Sequence, residues 1–404
     1  MQPSRRVRHI TFFALALLMT EFLDELVYGA GEAAWPLIRD DLALSYTQIG
    51  ILIAVPGLFS SIVEPILGIL ADRWRRRMLI LGGGALLAAA LALTAVSRSF
   101  APLLLSFMLF YPASGAFVSL SQATLMDVDP ERREPNMARW TLAGSLGVVT
   151  GSLLLGAAAA LGLGWRPIYA AFAVLTVIPL LLLARFPSRR FSNTETPKRV
   201  SLKLVWAGFA DAFRALRRPE VRRWMTLLWA SDLMLDVLLG FLALYFVDVV
   251  RTSQATASLA VTIWTVFGLL GNLLFIPLLE RVESLRYLRW SAVAVLALYG
   301  TLLLVPTHWA KLILLGALGF CNAGWYSVLQ AQVYATMPGH SGIALTVGNL
   351  FGLVAGLIPL ALGLIAENFS LIAAMALLLL GPLTLLAGLP RTGRAEPHAL
   401  SPGE

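Results

Sequence analysis

Charge is scarce in this sequence. Only 13% of its 404 residues are Asp, Glu, Lys or Arg, against roughly 25% in a soluble domain. With 58% hydrophobic residues and a mean hydropathy of +0.78, the chain reads as an integral membrane protein. Cysteine is almost missing: the single Cys321 excludes an internal disulfide framework and a thiolate metal cluster. The four histidines, His9, His308, His340 and His398, lie at helix ends or in tails without metal-ligand spacing. No glycine-rich loop ends in Lys-Ser/Thr, so no ATP motor is expected. No hydrolase or protease motif appears either. The expectation is a protein that is not an enzyme and needs neither metal nor cofactor.

What is present is a series of long apolar runs. A membrane helix needs roughly 20 mostly apolar residues, and twelve stretches meet that length, near 10–37, 47–71, 78–97, 101–126, 139–162, 167–185, 223–249, 256–279, 287–306, 309–334, 342–365 and 370–389. Backbone groups in lipid must bond internally, so helices are expected. The short alternating strands of a membrane barrel are absent. The first run follows Arg5, Arg6 and Arg8 as a signal peptide would, but it contains acids and no small-residue cleavage site, so it should stay as helix 1.

Basic residues test this helix count. With the N-terminus on side one, 26 of the 31 Lys and Arg fall on that side, and the other side has only Arg39, Arg98, Arg166, Arg251 and Lys311. Excess positive charge marks the cytoplasm. The expected location is therefore the inner (plasma) membrane, multi-pass, with both termini cytoplasmic. The pI near 10.0 follows from this asymmetry and does not require a nucleic-acid partner.

The longest polar stretch separates helices 6 and 7 and divides the chain into a bundle at 1–186, a linker at 187–222 and a second bundle with a short tail at 223–404. From Ser201, Leu202, Leu204, Val205, Phe209, Phe213 and Leu216 recur at helical spacing among Lys203, Arg214, Arg217 and Arg218. This pattern predicts an amphipathic helix on the membrane surface. The halves echo one another: Glu21 and Glu25 in helix 1 match Asp232 and Asp236 in helix 7, and Gly147 and Gly151 in helix 5 match Gly348, Gly352 and Gly356 in helix 11. Repeats of this kind are the sequence mark of secondary transporters, which hold substrate between their halves. The glycines are expected to allow close approach at a moving interface.

Helix 1 carries TEFLDELVYGAGEAAWPL, Thr20 to Leu37, with four carboxylates and no cation. At 100° per residue Glu21, Asp24, Glu25, Tyr28, Glu32 and Trp35 share an arc of about 100°, one helix face. An ionised acid at the bilayer centre costs roughly 2.5–3.5 kcal/mol or more, so the stripe should face a wet cavity. Glu64 in helix 2 and Asp232 and Asp236 in helix 7 bring the intrahelical acids to seven, with no Lys or Arg in a helix centre. Carboxylates buried together without cations hold protons more tightly, as a proton carrier requires. Their field attracts a cationic substrate and repels an anionic one. Tyr111, Ser114, Ser119 and Gln122 of helix 4, Trp264 and Asn272 of helix 8, Asn322, Trp325, Tyr326 and Gln330 of helix 10, and Asn349 of helix 11 complete the candidate lining. Aromatics with a few amides suit an amphipathic organic ligand.

After helix 2 comes GILADRWRRRMLI, Gly68 to Ile80. Gly68, Leu70, Asp72, Arg73, Arg76 and Arg77 resemble the loop 2–3 signature of the major facilitator superfamily, with Arg75 at its second glycine. The second half keeps Glu280 and Arg281 as a degraded copy. The resemblance implies an all-α fold of twelve transmembrane helices in two pseudo-symmetric six-helix bundles. It also implies a conformational gate at Gly68, Asp72, Arg73, Arg76 and Arg77. Within that superfamily Glu25, WPLI (Trp35 to Ile38), LSYTQIG (Leu44 to Gly50) and EPILG (Glu64 to Gly68) make the first fifth similar to fosmidomycin-resistance-type efflux proteins. Two positions depart from the antiporter pattern: Ser152 follows Gly151 where proline is expected, and Tyr111 stands near the place of a helix 4 arginine. The acidic lining also conflicts with a phosphonate cargo. The expected function is proton-coupled efflux of a cationic or amphipathic small molecule by a monomer in the bilayer, driven by the proton gradient. An importer or facilitator of a metabolite is the alternative, and a non-transporting sensor or lipid-handling protein fits less well.

Overall fold

A computed structural model describes residues 11–73, 76–128, 133–191, 213–279, 282–336 and 341–390. All regular secondary structure among these residues is helical. The first bundle contains α1 (Phe12–Leu42), α2 (Tyr46–Arg73), α3 (Arg76–Val96), α4 (Phe100–Asp127), α5 (Arg133–Ala160) and α6 (Trp165–Ala184). The second contains α7 (Pro219–Val249), α8 (Gln254–Leu279), α9 (Ser284–Leu304) and α10 (His308–Val333). It ends with α11, in two pieces (Ser341–Ala355 and Ile358–Asn368), and α12 (Leu371–Gly388). Eleven spans among the described residues are long and apolar enough to cross a membrane. The twelfth, α1, runs for 31 residues but interrupts its apolar sequence with the four acids.

Local chemistry sets the ends of α1. Thr11 caps the start by accepting from the Ala14 amide at 3.2 Å, and Ala43 closes the end in the left-handed region at φ 50°. The helix is therefore longer than the expected 10–37 and takes Arg39 into its last turn. Lys311, counted from sequence as a loop cation, lies in the first turn of α10 and is only 4% exposed. Residues 192–212, most of the expected amphipathic helix, and Glu280 and Arg281 lie outside the described residues.

Within the first bundle α1 packs on α5, and α3 packs on α4 and α6; in the second, α8 and α9 pack on α10, and α7 and α9 on α12. Two broad contacts join the bundles, α2 with α11 and α5 with α8. Exchanging each helix of the first pair for its counterpart six positions away, α2 for α8 and α11 for α5, gives the second pair, the relation expected of a duplicated six-helix unit.

The glycines divide between these two kinds of contact. A Cβ at Gly147 would lie 2.5 Å from the Phe22 carbonyl oxygen, and one at Gly151 would lie 2.0 Å from that of Leu26. The α5 ladder therefore seats α5 on α1 inside one bundle, rather than at the moving interface expected from sequence. Between bundles the close approach is Gly50 of α2 against Pro359 and Gly363 of α11. In the second half Gly352 lies against the Trp229 indole and Gly356 against Leu58. Large side chains thus hold α11 off, and space opens beside it.

Candidate functional site

The ties between the bundles gather at the end that holds the α1–α2 loop. Arg39 pairs with Asp248, and the Tyr46 hydroxyl donates to the same carboxylate at 2.7 Å. The Tyr46 amide donates to Glu367 at 2.8 Å, and Gln254 donates to the Ala33 carbonyl at 2.6 Å. Ser152 and Thr262 share a buried hydrogen bond of 2.8 Å between α5 and α8. Ser152, the residue at the antiporter proline position, is thus part of this seal.

Beyond the seal lie two cavities that both use Asp236. One, of about 690 Å³, is lined by Glu21, Glu25, Tyr28 and Gln122 from the first bundle and by Asp236, Trp264, Asn272 and Asn322 from the second. The other, of about 420 Å³ between α2, α7, α10 and α11, is lined by Asp232, Asp236, Trp229, Tyr326, Gln330 and Ser61. Both fall in the range of drug-sized ligand pockets, roughly 300–1,000 Å³. Among the described residues, neither lining includes Lys, Arg or His.

The acids of α1 do not share one environment, although their helical angles predict one face. Glu21 and Glu25 border the larger cavity beside Gly144, where a Cβ would come within 2.7 Å of Glu21 Oε1. Asp24 turns aside, near Ser114 and Glu64. Glu32 lines a separate compartment of about 50 Å³ with Tyr28, Tyr111 and Tyr169. Its Oε2 is buried without a hydrogen bond, as is Asp24 Oδ1. From the other bundle, Asp236 acts electrostatically on both Glu32 and Glu25. The bundle interface therefore brings Glu25, Glu32 and Asp236 together.

Other candidates lie elsewhere. Glu64 is exposed, accepts from Ser60 at 2.7 Å and abuts Gly115 of α4, away from both cavities. Trp325 is buried and donates to Ser291 at 2.8 Å, so it packs α10 on α9. Asn322 donates to the Met234 carbonyl at 3.0 Å, and Asn272 accepts from the Gly324 amide at 2.9 Å. Tyr326 is 58% exposed, on the wall of the smaller cavity. Asn349 lies in α11, and its side chain is outside the described ones, as are those of Gly68, Asp72 and Arg73 at the end of α2. Arg76 pairs with Asp127 at 2.7 Å, and Arg77 donates to the carbonyls of Phe186 and Ala184 at 3.0 and 2.7 Å. These two cations brace α3 to α4 and to the end of α6.

Sequence reasoning missed Trp140 and Trp229 on the cavity walls, which composition cannot distinguish from packing tryptophans. It also missed three π-helical turns among the described residues, Gly115–Ser119 in α4 and Leu233–Val237 and Tyr245–Val249 in α7. Such turns are rare and frequently occur at functional sites. Those in α7 contain Asp236 and Asp248, the residues that reach the other bundle.

The family model of the Major Facilitator Superfamily matches residues 17–251. The chain is 23% identical over 366 residues to the fosmidomycin resistance protein of Escherichia coli (strain K12), covering 88% of this chain and 86% of that protein. It is 23% identical over 348 residues to the quinolone resistance protein NorA of Staphylococcus aureus (strain MSSA476), covering 83% and 80%. A crystal structure of the nucleoside transporter NupG superposes with a TM-score of 0.73 at 14% identity, over 93% of this chain and 98% of that one.

Proposed function

The chain belongs to the major facilitator superfamily, and from that membership we propose that it is a secondary transporter exporting a cationic or amphipathic organic molecule in exchange for protons. One observation carries this reading: Asp236 lines both cavities and faces Glu25 and Glu32 across the bundle interface. A carboxylate so placed binds either a proton or an organic cation, and each displaces the other. The fosmidomycin and quinolone resistance relatives support efflux as the direction. The acidic walls favour a cation over a phosphonate.

The excess of Lys and Arg at the other end supports a reading with the sealed end outside and the cavities toward the cytoplasm. Export then requires the seal at Arg39, Asp248 and Tyr46 to open while the cavities close. The residues 1–186 and 223–404 act as the rocking units, and 187–222 tethers them. Glu25 and Asp236 hold the transported proton, and Glu32 loads it nearest the outer face. A second reading, a facilitator of a metabolite without antiport, draws on Ser152, which ties α5 to α8 where antiporters carry proline.

Liposomes with an imposed pH gradient distinguish the two. Internal pH is followed while organic cations, neutral metabolites and phosphonates are added. The proposal expects cation-dependent proton flux that Glu25→Gln abolishes. Transport that ignores the gradient and survives that substitution favours the facilitator.

A further inference from the structure

Remote from the acidic cavities, a separate recess of about 560 Å³ opens where α7 and α9 begin and α12 ends. Its lining is Arg223, Arg289, Leu386, Ala387 and Leu389. Arg223 donates its Nε to the Gly388 carbonyl at 2.6 Å, and Arg289 donates to the Pro390 carbonyl. The last carbonyl of α12 and that of Pro390, just beyond the helix, thus orient the two guanidinium groups, at the negative end of a helix where cations are favoured. The Nε bond of Arg223 leaves its two terminal nitrogens for a ligand.

The surroundings have the profile of a lipid. Trp290, next to Arg289, is 70% exposed at the level where interfacial tryptophans sit. One turn deeper, Val293 lies on the face of Arg289 and Leu383 on the face of Leu386, and both are exposed apolar residues. A pair of oriented arginines above an apolar wall fits a phosphate with acyl chains below it. Arginine suits phosphate because its planar fork can donate two hydrogen bonds at once. Basic pockets of this kind, between transmembrane helices on the cytoplasmic side, bind anionic headgroups.

We propose that Arg223 and Arg289 form a binding site for the phosphate headgroup of an anionic phospholipid, which clamps α7, α9 and α12 together. The site is independent of the transported molecule. It uses the leaflet at the end opposite the Arg39–Asp248 seal, where most Lys and Arg of the chain lie.

The test uses the full-length protein in nanodiscs of pure phosphatidylcholine and of phosphatidylcholine with phosphatidylglycerol. Thermal unfolding should shift upward by about 4 °C with the anionic lipid. Native mass spectrometry should show retained phosphatidylglycerol. In R223Q the lipid-dependent shift and the retained lipid should both be lost, whereas R98Q, at the opposite end, should keep both. Counting retained lipid keeps the test valid if R223Q lowers the melting temperature by itself. The proposal is overturned if R223Q retains the lipid. It is also overturned if inorganic phosphate, added to phosphatidylcholine nanodiscs, reproduces the whole shift, because the site would then read free phosphate.

Discussion

Arg39 and Asp248 meet across the two bundles, and the Tyr46 hydroxyl donates to the same Asp248 oxygen at 2.7 Å. Their side chains are only 16% and 18% exposed, so the pair is largely withdrawn from water. Removing one partner leaves the other charge poorly compensated in the sealed state. Asp248→Asn should therefore weaken the seal by about 1–3 kcal/mol, a shift of roughly 5–150-fold toward the opened end. Spin labels on the α1–α2 and α11–α12 loops would report this as a larger long-distance population. An unchanged distance distribution would remove the pair from the gate.

The same labels test the glycine contact. A Cβ at Gly50 would lie 2.7 Å from the Pro359 carbonyl oxygen, and one at Gly363 would lie 2.5 Å from that of Tyr46. Gly50→Ala should force α2 and α11 apart and disfavour the sealed state, by the roughly 1–3 kcal/mol typical of overpacking. Gly57→Ala, where nothing lies within 4 Å, should leave the equilibrium unchanged. Gly151→Ala should instead lower the melting temperature, because its obstacle is the Leu26 backbone within one bundle.

The sequence carries the helix count plainly, because twelve apolar runs and a one-sided charge distribution are properties of composition along the chain. It also carries the acidic character of the cavities, since no cation lies in a helix centre to neutralise Asp236 or Glu25. The division of the α1 acids is not legible there. Helical angles place Asp24 on the same face as Glu25, yet Asp24 turns to Ser114 of α4, beside Glu64 of α2, and only tertiary packing supplies those neighbours. The π turns around Asp236 and Asp248 are also hidden, because one extra residue in a turn leaves no mark on hydropathy. The tie between Arg39 and Asp248 joins residues 209 positions apart.

Competition at Asp236 has a measurable pH signature. If a proton and an organic cation exclude one another from this carboxylate, each proton bound must be released on cation binding, by linkage. Cation affinity should then fall as pH falls, approaching about tenfold per pH unit where one carboxyl is largely protonated. Asp236→Asn should weaken binding and flatten this dependence. Glu64→Gln should preserve both, since Glu64 lies away from the two cavities. Titration calorimetry at several pH values in detergent measures both effects without requiring transport. A steep pH dependence retained in Asp236→Asn would assign the proton to another acid.

Lys311 offers a test of the second bundle that leaves the cavities alone. Its ammonium is buried, donating to the Tyr245 hydroxyl at 2.8 Å and to the Leu302 carbonyl. A buried charge is costly to hold and more costly to strand. Replacing the charge itself with an apolar side chain of similar length removes that cost along with the bonds, so Lys311→Met should change stability by less than about 1 kcal/mol in either direction. Tyr245→Phe keeps the charge and deletes one of its acceptors, so it should destabilise by roughly 1–3 kcal/mol. Combining the two should restore most of that loss, because with the ammonium gone the tyrosine hydroxyl has no partner to lose. Thermal unfolding of the three variants measures the cycle. Strictly additive losses would show that Lys311 and Tyr245 act separately and that the ammonium is held by the Leu302 carbonyl.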